Sequence, residues 1–142
     1  MNLSSHEPNP LHQPISLKPG CCILYIEDLP VNASMLRTFF ELYAQGVVLL
    51  EAASATQGIK LAVDHQPDLI ICDINLPDYS GIEVLQALRG REITRHIPVV
   101  GITADIGSDL AQARQADFDA FLTRPINWDR FKKIICQFLA QP

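Results

Sequence analysis

From Gly20 onward the chain alternates strictly between short apolar runs and amphipathic stretches, and this alternation restricts its fold more than any other feature. The apolar runs fall at 21–26, 47–50, 69–72, 98–102 and 120–122, each short enough and rich enough in Val, Ile, Leu and Phe to read as a buried strand. Between them lie five helical patterns. The first starts near Pro30-Val31-Asn32, with Met35, Leu36, Phe39, Phe40 and Tyr43 on one stripe and Pro30 in the first turn, where a missing N–H leaves nothing unsatisfied. The second covers about 54–65, with Ser54 as N-cap and Ile59, Leu61 and Ala62 facing inward. The third runs about 81–89 through Ile82, Val84, Leu85 and Leu88. The fourth, about 108–116, is apolar only through Leu110 and alanines, so it should pack loosely. The fifth covers about 127–139, capped by Asn127, with Phe131, Ile134, Ile135, Phe138 and Leu139 inward.

Five strand–helix units imply an α/β fold: a doubly wound five-stranded parallel sheet with helices on both faces. In the flavodoxin-like order 2-1-3-4-5, ligands bind beyond the carboxyl ends of strands one and three, where the strand order reverses. Those two strands end in acid. Cys22-Ile23-Leu24-Tyr25-Ile26 stops at Glu27-Asp28, and Leu69-Ile70-Ile71-Cys72 stops at Asp73, followed by Asn75, Pro77 and a turn around Asp78-Tyr79-Ser80-Gly81. Three carboxylates in one cleft stay ionised together only if a cation joins them. Oxygen donors without nearby Cys or His favour Mg²⁺ over zinc. A carboxylate beside Mg²⁺ can act as nucleophile and form an aspartyl phosphate, and phosphoryl transfer then asks mainly for positioning and charge neutralisation. Thr103 ends the fourth strand, where its hydroxyl can donate to a phosphoryl oxygen. Arg124 follows the fifth, where its guanidinium can reach a carboxylate or phosphate. Taken singly, such a Thr is commonly a turn residue and such an Arg a solvated one; it is their joint placement at successive strand ends that points to a site.

In these pieces the chain resembles the receiver domain of two-component response regulators over about residues 20–140. They are Ile23-Leu24-Tyr25-Ile26-Glu27-Asp28, Asp73-Ile74-Asn75-Leu76-Pro77 with Gly81, Ile102-Thr103-Ala104, and Phe121-Leu122-Thr123-Arg124-Pro125-Ile126. The wording is also similar to receivers attached to hybrid histidine kinases. The resemblance implies that Asp73 is the phosphoacceptor, that Glu27 and Asp28 hold Mg²⁺ with Asp73, and that Asn75 offers the metal its backbone carbonyl. It implies that Thr103 binds the phosphoryl group, that Phe121 is an aromatic switch turning inward with it, and that the Arg124–Pro125 bond is cis. Such a domain is no enzyme beyond its own phosphorylation and dephosphorylation. Its partners would be a histidine kinase or histidine phosphotransfer protein and a downstream protein, with a homodimer through helix 4, strand 5 and helix 5 as a further expectation.

Two residues depart from the family pattern: Arg124 stands where lysine is usual, and Asp117 where glycine is common before strand five. Arginine is a planar fork where lysine is a point charge, and the fork could hold Asp73 in a two-pronged pair without phosphate. This leaves an alternative, a receiver-like interaction module that works without phosphorylation. A flavin protein would want a Ser/Thr/Gly-rich phosphate loop where Glu27-Asp28-Leu29-Pro30 stands, and an aspartyl phosphohydrolase a second aspartate where Asn75 stands.

The rest of the chain sets bounds. With 142 residues there is room for one full core. Residues 1–19, with Pro8, Pro10, Pro14 and Pro19 and little periodicity, read as a disordered arm, leaving 20–142 as the domain. With helix five ending near Leu139 and the sequence stopping at Pro142, output is expected through the domain's own surface. A net charge of −5 argues against nucleic acid, and no apolar run reaches the roughly 18 residues of a membrane span. No secretory signal opens the sequence, and four cysteines without C-x-x-C spacing fit buried thiols in a reducing cytoplasm.

Overall fold

The computed structural model describes residues 13–104 and 108–141. Its elements alternate as expected: β1 (Cys22–Ile26), α1 (Pro30–Tyr43), β2 (Val48–Ala52), α2 (Ala55–His65), β3 (Leu69–Asp73), α3 (Gly81–Arg89), β4 (Val99–Thr103), α4 (Ser108–Gln115), β5 (Ala120–Thr123) and α5 (Trp128–Leu139). The strands form one parallel sheet in the order β2-β1-β3-β4-β5.

Side chains alternate across a strand, and here the two parities build two cores. Ile23, Tyr25, Leu69, Ile71, Val100, Ile102 and Leu122 join Leu36, Phe39 and Phe40 of α1 and Phe131, Ile135 and Leu139 of α5 on one face. Leu24, Ile26, Ile70, Cys72 and Val99 join Ala62 of α2 and Val84, Leu85 and Leu88 of α3 on the other. The central strands β3 and β4 are buried along their whole length, which is why both read as unbroken apolar runs.

The helix starts follow local chemistry. Ser54 accepts a bond from the Gln57 N–H, and Asn127 from the Arg130 N–H. Ser80 and Glu83 form a reciprocal capping box. The expected stripe on α1 holds for Leu36, Phe39 and Phe40, while Tyr43 is half-buried and Met35 faces solvent.

Two boundaries move. β2 extends past the expected 47–50 to Ala52, because an edge strand can carry Glu51 outward, where it pairs with Arg37 at 2.6 Å. The disordered arm drawn over 1–19 is corrected over its last seven residues; residues 1–12 lie outside those described. Ile15 donates its N–H to the Tyr43 carbonyl at 2.8 Å, Lys18 to that of Leu139 at 3.0 Å, and Leu17 pairs antiparallel with Ala140. Ile15 and Leu17 pack against the α1–α5 core. Two apolar residues at alternate positions are enough to seat an extended strap, a pattern too short to read among prolines.

Candidate functional site

The parallel register places the ends of β1 and β3 side by side: Ile26 pairs with Cys72, and the next residues are Glu27 and Asp73. Glu27 continues the parity of Ile23 and Tyr25, Asp73 that of Leu69 and Ile71, and Arg124 that of Leu122. These side chains therefore share the α1–α5 side of the strand ends. Thr103 follows the opposite parity, with Gly101, and Gly101 lies against the rings of Phe121 and Phe118.

Glu27, Asp28 and Asp73 each present a carboxylate oxygen, and the three oxygens lie within 4.8 Å of one another. Glu27 and Asp73 are buried, at 4% and 5% exposure, and Asp28 is half-buried. Burial comes first in pushing the Glu27 carboxyl up to about 7; the charge of Asp73 adds to it, while Asn32 and Arg124 pull the other way. One oxygen of Glu27, Oε2, is buried without a hydrogen-bond partner. A hard cation would satisfy that oxygen and remove the repulsion, so the donor set fits Mg²⁺.

Arg124 Nη2 lies 2.7 Å from Glu27 Oε1 and 3.3 Å from Asp73 Oδ2. This differs from the two-pronged grip on Asp73 that the fork could make. A single nitrogen bridges both acids and leans toward Glu27, whose side chain is fully buried and has more to gain from a charged partner. The Arg124–Pro125 bond is cis, and the Arg124 N–H donates to the Thr103 carbonyl at 2.8 Å, tying the end of β4 to the β5–α5 loop.

The loop after β3 is shaped around Asp73. The Asn75 N–H donates to Asp73 Oδ1 at 2.9 Å, fixing the carboxylate, and the Asn75 side chain is exposed. Gly81 donates to the Ile74 carbonyl at 2.8 Å, and a Cβ there would strike the Asp73 carbonyl, so only glycine lets α3 start this close. Thr103 is buried and Phe121 half-buried, its ring 6.1 Å from that of Phe118.

Two participants were not legible in the sequence. Tyr25 belongs to an apolar run, yet its hydroxyl is buried without a hydrogen-bond partner among Arg124, Glu27 and Asp73, and burial pushes its pKa up to about 12. Asp78 reads as a turn residue, yet it accepts from the Ala55 and Thr56 N–H groups at 2.9 Å each and from the Thr56 hydroxyl at 2.7 Å. It holds the loop after β3 against the start of α2. The only hint was an acid opposite a helix N-terminus, which pairing at long range decides.

Comparison with known proteins gives a consistent outcome. The response regulator receiver domain family matches residues 23–136. The chain is 36% identical over 118 residues to the polar-differentiation response regulator DivK of Brucella ovis, covering 82% of this chain and 94% of that protein. It is 34% identical over the same span to DivK of Brucella anthropi. Among solved structures, the receiver domain of sensor histidine kinase PA1611 from Pseudomonas aeruginosa PAO1 superimposes with a TM-score of 0.76 at 25% identity, over 84% of this chain and 97% of that one. That structure has a magnesium ion coordinated in its active site cleft. The receiver domain of a signal transduction histidine kinase from Syntrophus aciditrophicus shares the fold, with a TM-score of 0.76 at 24% identity over 84% and 89% of the two chains.

Proposed function

Since the chain belongs to the response regulator receiver domain family of two-component systems, we propose that Asp73 accepts a phosphoryl group and that the acylphosphate governs protein contact. The observation that carries this reading is the buried acidic cluster with one orphaned Glu27 oxygen. Mg²⁺, held by Glu27, Asp28, Asp73 and the Asn75 carbonyl, would supply charge neutralisation for incoming phosphoryl oxygens.

The Asp73 carboxylate attacks phosphorus in the donor, a phosphohistidine of a histidine kinase or phosphotransfer protein; the new O–P bond forms as the N–P bond breaks, and the freed imidazole takes up a proton. Asn75 holds the carboxylate through its N–H. Thr103 and Arg124 receive the phosphoryl oxygens, and Arg124 must leave Glu27 or stretch from it to do so. Thr103 then shifts, and Phe121 follows on the same face of the sheet. The readout is a downstream protein or a second copy meeting the face of α4, β5 and α5, in the cytoplasm; among the described residues no helix is long and apolar enough to cross a membrane.

Incubation with Mg²⁺ and a small acyl phosphate should add one phosphoryl mass to wild type and none to Asp73→Asn. Sedimentation of the same samples should change only where the mass does. The standing Arg124 bridge favours one second reading, a module that works unphosphorylated. No mass gain in wild type but gain in Arg124→Lys would establish it.

A further inference from the structure

Among the described residues only two buried side-chain polar atoms lack a hydrogen-bond partner, Glu27 Oε2 and the Tyr25 hydroxyl. Both stand at the end of β1, two residues apart, and so on the same side of the sheet. A cation held by the three carboxylates answers for Oε2. Nothing in phosphoryl transfer to Asp73 uses the hydroxyl. Tyr25 is 1% exposed and packs with the α1 and α5 side chains of the core. Phenylalanine would fill that space as well and would spare the fold a hydroxyl buried without a bond, which destabilises it. The charged groups acting on this hydroxyl are Arg124, Glu27 and Asp73, with Arg124 foremost.

Arg124 joins the hydroxyl to the site. Its Nη2 serves Glu27 at 2.7 Å and Asp73 at 3.3 Å. A guanidinium is a rigid planar fork whose N–H donors point several ways. When Nη2 turns from Glu27 toward oxygens on Asp73, the whole plane turns with it, and its other N–H groups meet new surroundings. The side chain is only 17% exposed, so water reaches little of it. We propose that Tyr25 is a positioning residue for Arg124: its hydroxyl oxygen accepts a guanidinium N–H once Arg124 leaves Glu27, and holds the fork on Asp73 as the phosphoryl group arrives. This role presupposes that Asp73 is the phosphoacceptor. No covalent bond changes at the phenol, and its proton stays on oxygen. The hydroxyl goes unpaired in the resting protein and is paired in the reacting one, so its burial is a preorganised acceptor. Lysine at position 124 would make no such demand, because a compact ammonium on a flexible stem carries no rigid plane to be held.

Labelling of Asp73 by a small acyl phosphate with Mg²⁺ is to be timed by mass spectrometry in wild type, Tyr25→Phe, Arg124→Lys and the double variant, with a thermal melt of each. Tyr25→Phe is expected to melt no lower than wild type, since no bond is lost, and yet to label about tenfold more slowly. In the Arg124→Lys background the same change should alter the rate by less than about twofold. Stability and rate then move apart, which a loss of packing cannot produce. Equal rates in wild type and Tyr25→Phe would overturn the role of Tyr25 and leave Asp73 as the acceptor. Equal slowing in both backgrounds would do the same, since Tyr25 would then act without Arg124. A lower melting temperature for Tyr25→Phe would overturn it too, by showing that the hydroxyl has a partner in the resting protein. A wild type that takes no label would overturn the role of Tyr25 and the phosphoacceptor reading together.

Discussion

At the residue scale, the charges that shape the strand ends and the loop after β3 are placed by fold rather than by neighbours in sequence. Asp78 is the clearest case. It lies on the surface, yet three bonds from the first turn of α2 hold its carboxyl well below the usual carboxylate range, the Thr56 N–H and hydroxyl contributing most. A group whose pKa falls on folding stabilises the fold above its unfolded value near 4, and that contribution is lost as pH falls below it. Asp78→Ala should therefore lower the melting temperature at pH 7 and remove part of the wild type's loss between about pH 4 and pH 2; parallel melts of both proteins across that range check this. The same scale marks what the sequence could and could not disclose. That Glu27, Asp28, Asp73, Thr103 and Arg124 stand at or just past strand ends was legible, because strand ends are legible. That one guanidinium nitrogen bridges Glu27 and Asp73 was not, because it depends on which buried acid competes harder for it.

At the element scale, strand and helix identity followed from periodicity, and errors gathered where an element has one wet side. β2 was cut short at Glu51, whose charge is at home on an edge strand, and the strap before β1 was missed because only Ile15 and Leu17 signal it. α3 lies at the expected 81–89, carried by Val84, Leu85 and Leu88, and the capping box of Ser80 and Glu83 fixes its start. α2 ends less comfortably. Its C-cap, Gln66, adopts a left-handed conformation at φ 46°, which glycine accepts without the Cβ penalty. Gln66→Gly should thus stabilise the domain by up to about 1 kcal/mol, read as a higher urea midpoint with unchanged slope. α4 is the opposite case, since among its described side chains only Ala113 is fully buried. It has little holding it to the sheet, which suits the element beside Thr103 and Phe121 for movement.

At the scale of the whole molecule, the acidic cluster and the pairing of residues 16–17 with 140–141 occupy opposite poles. The strands all run toward the acidic cluster, so the helices run away from it, and α5 delivers the chain to the far end of the sheet from which β1 departs. There the described residues that flank the sheet meet: Leu17 pairs with Ala140, and Gln141 donates to the Ser16 carbonyl at 3.3 Å. Alternation alone discloses the order of strands and helices, but not this closure, since prolines hide the strap that makes it. Joining Gln141 to Ser16 through a few glycines and opening the chain at the exposed Gln45–Gly46 turn should leave Mg²⁺-dependent labelling of Asp73 intact, as mass spectrometry of the permutant would reveal. A fold held together between residues 16–17 and 140–141 behaves topologically as a closed ring. It can be spliced into a loop of another polypeptide, or strung in tandem, without its acidic pole sensing the join.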